Sequence, residues 1–373
     1  MNKKLTAFIL TAAAALSLCG CSGWYNKEYV TTKDYVQSNQ EDTNRERTSV
    51  KNFNALKQAM LSFAYAGDTE GQIVFDAGYD GDLLEDLASA CWQVRTQDAL
   101  CAYCVENIAY ELTKIVTTNE ASIYITYSSF CENADNIIHI PFSYGLESTL
   151  QKALENHDRK LVVLVSSSSY SAEEIESLLT KVYRENPTVV PKEPNCTVNM
   201  YSGTGSQRLY EISINYGLTA EELEQRMAAL SAVDAFSDYD IDSMSDSEKA
   251  LAACRYLMEN CELSDSSSDN TAYAALVNHR ANSEGMAFGY AALCRQLKLD
   301  CSIVYGQYMW QTYCWNIVKV DGDYYHVDAA GCISSGLDNS FLVNDENFWG
   351  NYRWDVASYP KCNGTLSYKS LNN

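Results

Sequence analysis

The chain reads as an α+β protein, with an α/β domain of two β-α-β-β repeats ahead of a C-terminal domain, and three observations lead there. Apolar residues at helical spacing alternate with short runs in which apolar and polar residues take turns, the signature of helices and half-buried strands in one chain. The order strand, helix, strand, strand occurs twice between about residues 48 and 236. An acidic, serine-rich stretch from Asp238 to Ser247 then separates this region from the remainder.

The elements follow in chain order. Lys3 and Lys4, the apolar run from Ala7 to Leu18 and the sequence Cys19-Gly20-Cys21-Ser22 predict a secretory leader over 1–20. The run is too short to span a bilayer comfortably. Leu18-Cys19-Gly20-Cys21 resembles a bacterial lipobox, which implies lipidation of Cys21 and an anchor on the outer, extracytoplasmic face of the cell membrane. An ordinary signal peptide or a short membrane helix are the alternatives. Residues 21–47 are polar without sustained periodicity and read as a tether, its Trp24, Tyr25, Tyr29 and Tyr35 being incidental or surface contacts.

In the first repeat, Ile73-Val74-Phe75 is a short strand, and Leu83, Leu84, Leu87, Cys91 and Trp92 mark one face of a helix. Strands follow around Ile108 to Leu112 and Ile123 to Tyr127. The second repeat has a buried-type strand from Leu161 to Val165 and a helix opened by Ser171 and Glu174 in capping-box spacing. Its hairpin runs from near Val198 to around Tyr210–Tyr216, with Gly203 and Gly205 in the turn. Thr219 and Glu222 open the closing helix in the same spacing. No cluster of catalytic residue types lies in 48–236, so its expected role is scaffold or binding module.

Composition narrows the function. A net charge of −22 argues against nucleic acid or an anionic membrane as partner, because both demand positive potential. Fourteen cysteines less Cys19 and Cys21 leave twelve, an even number in a compartment that permits disulfides, although Cys254 and Cys294 fall on apolar helical faces where a free thiol packs as a small hydrophobe. Cys101-Ala102-Tyr103-Cys104 has redox or zinc spacing but no second ligand pair, and is read as packing or a local disulfide. The aspartates at 238–246, at 265–269 and at 80–82 lack calcium-loop spacing and read as solvated linkers. No metal or cofactor is expected.

The C-terminal region, 238–373, carries three ordered motifs: Ala281-Asn282-Ser283-Glu284-Gly285-Met286-Ala287, then Tyr313-Cys314-Trp315-Asn316-Ile317-Val318, then Asp321-Gly322-Asp323-Tyr324-Tyr325-His326-Val327-Asp328. In order and spacing, over about 238–365, they resemble the bacterial transglutaminase-like domains of the papain-like superfamily. The resemblance implies a helix packed on an antiparallel sheet and a Cys-His-Asp triad, with Ser283, Tyr313 and Asp328 at the three positions. A family nucleophile sits at a helix N-terminus, where the dipole favours a thiolate. Here Ser283 is expected as the N-cap of a helix over about 284–297, a position serine fills for reasons unrelated to catalysis.

A serine nucleophile needs a base. The phenol at 313, with an ordinary pKa of about 10, is roughly one part in a thousand ionised at neutral pH. Asp328 would orient and stabilise an imidazolium that is not there. Of the four histidines, His326 shares a strand face with Asp328 and His279 precedes Ser283 in a loop; Cys314 is expected to face the core. Trp315, Asn316, Trp310 and Tyr325 are expected to wall an inherited cleft for a peptide, protein or peptidoglycan fragment. The chain thus reads as a degenerate binding member, with a serine acyl hydrolase or transferase and a ligand-free spacer as the alternatives.

Overall fold

The computed structural model of the chain describes residues 47–129 and 136–371. The expected leader, Cys21 and the tether up to Glu46, with its aromatic residues, lie outside the described residues. No described helix is long and apolar enough to cross a membrane. Two compact units form, one from 47–129 with 201–205, the other from 136–200 with 206–371.

The first repeat runs β1 (Arg47–Asn52), α1 (Phe53–Ala66), β2 (Glu70–Asp80), α2 (Leu83–Gln97), α3 (Ala99–Cys104), β3 (Val105–Ile115) and β4 (Thr118–Tyr127). Its sheet has the order β1-β2-β4-β3, with only the β1–β2 pair parallel. That pair needs a crossover, which α1 supplies, opening on the Asn52 side chain and closing on Gly67 at φ 75°. Leu56, Met60, Ile73, Phe75, Leu87 and Ile123 fill the space between helices and sheet. The apolar face assigned to α2 needs correction: Leu87, Ala90, Cys91 and Val94 are buried, whereas Leu84 and Trp92 are exposed.

The second repeat retraces the same path as β5 (Ile137–Phe142), α4 (Gly145–Glu155), β6 (Lys160–Ser167), α5 (Ala172–Glu185), β7 (Asn195–Ser202) and β8 (Arg208–Asn215), followed by α6 (Ala220–Ser231). Its order, β5-β6-β8-β7, reproduces that of the first sheet, and β5–β6 is again parallel. Each repeat is therefore β-α-β-α-β-β, one strand and one helix longer at its start than the sequence pattern shows. The missing strands are sheet edges. β1 buries a single residue, Val50, and β5 buries only Ile137, so neither carries an apolar alternation. Both expected capping boxes, Ser171 with Glu174 and Thr219 with Glu222, are formed.

In the C-terminal region α7 (Asp246–Asn260) leads to a two-residue parallel pair, β9 (Glu262–Leu263) with β10 (Arg280–Ala281), that encloses α8 (Ala272–Leu276). This pair delivers the chain to α9 (Ser283–Gln296). An antiparallel sheet of order β14-β13-β12-β11-β15 follows, built from β11 (Cys301–Tyr308), β12 (Gln311–Val320), β13 (Asp323–Val327), β14 (Phe341–Val343) and β15 (Tyr352–Arg353), with α10 (Ala329–Ser335) between β13 and β14. Helix α9 is buried from Gly285 to Cys294, and Met286 and Leu293 share one core with Val318 and Val320. On the other face of β12, Trp315 and Ile317 meet Phe348, Tyr352 and Cys362. The central strand is thus covered on both sides.

The second repeat's core also holds Ala272 and Phe288, and the Tyr183 ring stands edge-on to Phe288 at 6.0 Å. Helix α5 consequently places Arg184 beside the C-terminal sheet, over the Tyr305 ring at 4.9 Å. Because the capping box sets where α5 begins, Ser171→Ala is expected to lower stability by about 1 kcal/mol. Denaturant unfolding monitored by circular dichroism checks this; an unchanged midpoint would show that the cap contributes nothing.

Candidate functional site

Ser283 is the first residue of α9, and the structure corrects its expected capping role. The N-cap is Asn282, whose side-chain oxygen accepts from the Gly285 amide at 3.1 Å and whose side-chain nitrogen donates to the Ser266 carbonyl at 3.1 Å. Asparagine takes the cap because its own anchoring to the 266 loop holds it outside the helical turn. The Ser283 hydroxyl is left without a hydrogen bond to any described residue. It borders a cleft of about 650 Å³ that is also lined by Glu284, Arg184, Tyr305, Gln307, Thr312 and Tyr313.

Tyr313 and Asp328 are brought together. The Tyr313 hydroxyl donates to Asp328 Oδ1 at 3.3 Å, and the same oxygen accepts from the Gly331 amide at 2.8 Å, where Asp328 caps α10. The second carboxylate oxygen accepts from the Tyr352 hydroxyl at 2.6 Å. Burial raises the Asp328 pKa against the opposing pull of these donors. Burial and the neighbouring carboxylate likewise hold the Tyr313 phenol well above its ordinary value. A neutral phenol that donates to Asp328 does not accept a proton from Ser283. Gly306, paired opposite Tyr313, is required here, since a side chain would run into the Arg353 carbonyl and the Trp315 ring.

The family model described as the transglutaminase-like superfamily matches residues 238–329. Residues 238–329 form a transglutaminase-like domain. Solved structures similar to the chain include a TGase at 10% identity (47% of this chain, 52% of the other, TM-score 0.22). A candidate cysteine protease from Cytophaga hutchinsonii matches at 9% identity (41% and 64%, TM-score 0.21), and a candidate protease from Parabacteroides distasonis at 7% (56% and 45%, TM-score 0.20). The chain therefore spans 45–64% of the length of these three proteins. No curated protein matches its sequence.

Within the transglutaminase-like domain, three of the four expected ligand contacts are corrected. Trp315, Asn316 and Tyr325 are all buried, because β12 and β13 are covered on both faces. Trp315 Nε1 donates to His326 Nδ1 at 3.0 Å, Asn316 Nδ2 donates to the Ala287 carbonyl at 3.0 Å, and the Tyr325 hydroxyl accepts from the Leu366 amide at 3.3 Å. Trp310 is exposed but does not line the Ser283 cleft. Cys314 is buried, and burial together with Glu284 pushes its thiol up to about 12. The sequence reading missed Arg184, Tyr305 and Tyr352. The first two come from packing between the second repeat and the sheet, for which a single sequence holds no signal; Tyr352 sits in a two-residue strand.

None of the four histidines lines the cleft. His279 is exposed, while His326 is buried and faces away, donating from Nε2 to Asp345 at 2.9 Å. His326, Asp345 and Cys362 come close enough to suggest a metal site. The tautomer argues against it. Trp315 can only donate, so Nδ1 must be the bare nitrogen and Nε2 must carry the proton, which leaves no lone pair for a metal. The aspartate runs are used locally: Asp82 caps α2, Asp242 meets Lys298 at 3.0 Å and Asp269 meets Arg280 at 3.4 Å. Cys101 and Cys104 are not joined to each other, correcting the local disulfide, since Cys101 is free and Cys104 is disulfide-bonded.

Burial lowers the His326 pKa despite the opposing pull of Asp345. A histidine whose folded pKa is depressed binds protons more readily when unfolded, so its contribution is complete above about pH 6.5 and is lost as pH falls through the folded value. Wild-type protein is expected to lose stability between about pH 7 and pH 5.5 more steeply than His326→Gln. Thermal unfolding across that range is the check, and parallel profiles would remove His326 as the cause.

Proposed function

We propose that this chain is a bacterial lipoprotein, anchored through Cys21 to the outer face of the cell membrane, whose transglutaminase-like domain binds a peptide segment in the Ser283 cleft without turning it over. The observation that carries the reading is the absence of any imidazole from the cleft, with a phenol standing in the base position and bonded to Asp328. Acyl transfer through a hydroxyl needs a partner able to take its proton near neutral pH. Besides Tyr313, the cleft is lined by the carboxylates of Glu284 and Asp355, the guanidinium groups of Arg184 and Arg353, and the Cys314 thiol and Tyr305 phenol, both of which burial holds in the protonated form.

The binding half of the proposal rests on what the cleft still presents. It is open to solvent, and its walls mix neutral hydrogen-bonding groups, Gln307 and Thr312, with charges of both signs. Such a wall suits a peptide backbone bearing charged side chains. The peptide belongs to a protein or a cell-wall fragment, consistent with the location the leader predicts.

A rival reading has one observation in its favour: the Ser283 hydroxyl is free of the capping bond and open to the cleft. Serine-dependent acyl transfer is therefore tested directly with a fluorophosphonate probe. No labelling above that of Ser283→Ala is expected; stoichiometric labelling that disappears in Ser283→Ala would overturn the pseudoenzyme proposal. Titration with peptidoglycan stem peptides is expected to give saturable binding, weakened about tenfold by Thr312→Trp, which fills the cleft. An absence of saturable binding leaves only a spacer role. Combining Ser283→Cys with Tyr313→His is expected to restore thiol-dependent amide chemistry, seen as iodoacetamide-sensitive turnover, if only the two side chains have been lost.

A further inference from the structure

The hairpin joining β11 to β12 has the shortest of connections. Tyr308 pairs with Gln311, so Met309 and Trp310 alone make the turn, at φ 49° and 69°. Two left-handed residues define a turn that favours asparagine and glycine, and large side chains are strained there. Burial does not compensate, since Met309 is 58% and Trp310 78% exposed. An exposed tryptophan held in a strained turn is the kind of outlier that marks a ligand contact.

Trp310 does not stand alone. Strand β15 pairs with β11 next to the turn, and the Met309 amide donates to the Asn351 carbonyl at 2.9 Å, tying the hairpin to the 349–353 segment. The Arg353 guanidinium lies 5.6 Å from the Trp310 ring and 4.9 Å from that of Trp349, which is itself 51% exposed. Trp349 further meets Trp354 edge-on at 5.1 Å. Cation–π contacts of this sort hold both indoles against free rotation while leaving much of each exposed.

Beside this ladder Trp349 borders a cavity of about 780 Å³ whose rim carries Asn339, Asn344, Asn347 and Asn351. The side chains of Asn339, Asn347 and Asn351 make no hydrogen bond to described residues. Asp338 is the single charged residue lining the cavity, and it is 3.6 Å from Lys369. Aromatic faces next to unspent neutral amides match a ligand with flat C–H faces and many hydroxyl groups. The geometry points to a second binding site, separate from the Ser283 cleft, in which Trp310 and Trp349 stack against pyranose rings and the asparagines hydrogen-bond the hydroxyls of a neutral, linear glycan. The net charge of −22 disfavours an anionic polymer there.

The test is titration of the intact protein with linear hexamers of β-1,4-linked N-acetylglucosamine and of β-1,4-linked glucose, followed by tryptophan fluorescence and calorimetry. Saturable binding to at least one hexamer is expected, weakened about tenfold or more by Trp349→Ala and by Trp310→Gly. Glycine suits the turn, so Trp310→Gly is expected to unfold at a higher temperature than wild type, which separates lost binding from lost folding. Failure to bind either hexamer at about 10 mM, or binding that survives the Trp310→Gly/Trp349→Ala double variant, would overturn the site. Peptides and glycans address different clefts through different variants, so either result stands without the other.

Discussion

A buried carboxylate organises the transglutaminase-like domain. Asp328 is 1% exposed and receives hydrogen bonds from Tyr313, Tyr352 and the Gly331 amide. Placing a carboxyl there without donors would cost several kcal/mol, so the three donors are a condition for the fold rather than an ornament. They also come from distant parts of the chain. Tyr313 lies on β12, Asp328 follows β13 and Tyr352 lies on β15, so one side chain ties the centre of the sheet to its edge and to the start of α10.

The same arrangement constrains the chemistry of Tyr313. A triad aspartate serves catalysis by orienting an imidazole and stabilising its cation. Here both carboxylate oxygens are committed to neutral donors, the Tyr313 and Tyr352 hydroxyls and the Gly331 amide. Burial first, and the neighbouring carboxylate second, disfavour the Tyr313 phenolate, so the hydroxyl that donates to Asp328 stays protonated. Ser283, which borders the same cleft, stands at the positive end of α9, and its hydroxyl makes no hydrogen bond to any described residue.

Much of this was legible in the sequence, and the boundary of what was legible follows from physics. The helix expected over about 284–297, found at 283–296, and the meeting of Tyr313 with Asp328 on an antiparallel sheet follow from the ordered motifs and from helical periodicity. The duplicated α/β pattern was visible from β2 and β6 onward, including the edge strands β3 and β7, which hairpins tie to a central partner. It was invisible at β1 and β5, edge strands that each bury one residue and are not hairpin partners. Pattern also misplaced Trp315, Asn316 and Tyr325: alternation tells which residues share a face but not what covers that face. Phe348, Tyr352 and Trp354 arrive from the far end of the chain to bury Trp315, while Asn316 bonds to α9 and Tyr325 packs in the core that α9 shares with Val318. The cap at 282 was misjudged by one residue, a difference set by a contact with the 266 loop.

His326 shows how a residue can look catalytic and be structural. It lies two positions from Asp328, yet it is stacked on Phe348 with ring centres 4.5 Å apart and planes 7° from parallel, and it is bonded at both nitrogens. Trp315 on one side and Asp345 on the other fix a single neutral tautomer. A ring held by a donor at one nitrogen and an acceptor at the other can gain a proton only by turning the Trp315 bond into a clash of two N–H groups. That constraint removes His326 from proton transfer and from metal binding alike, and it makes the aromatic cluster around Phe348 the second fixed point of the sheet. His326 and Asp328, two residues apart on one side of the sheet, thus anchor the same aromatic face, one through Trp315 and Phe348 and the other through Tyr313 and Tyr352.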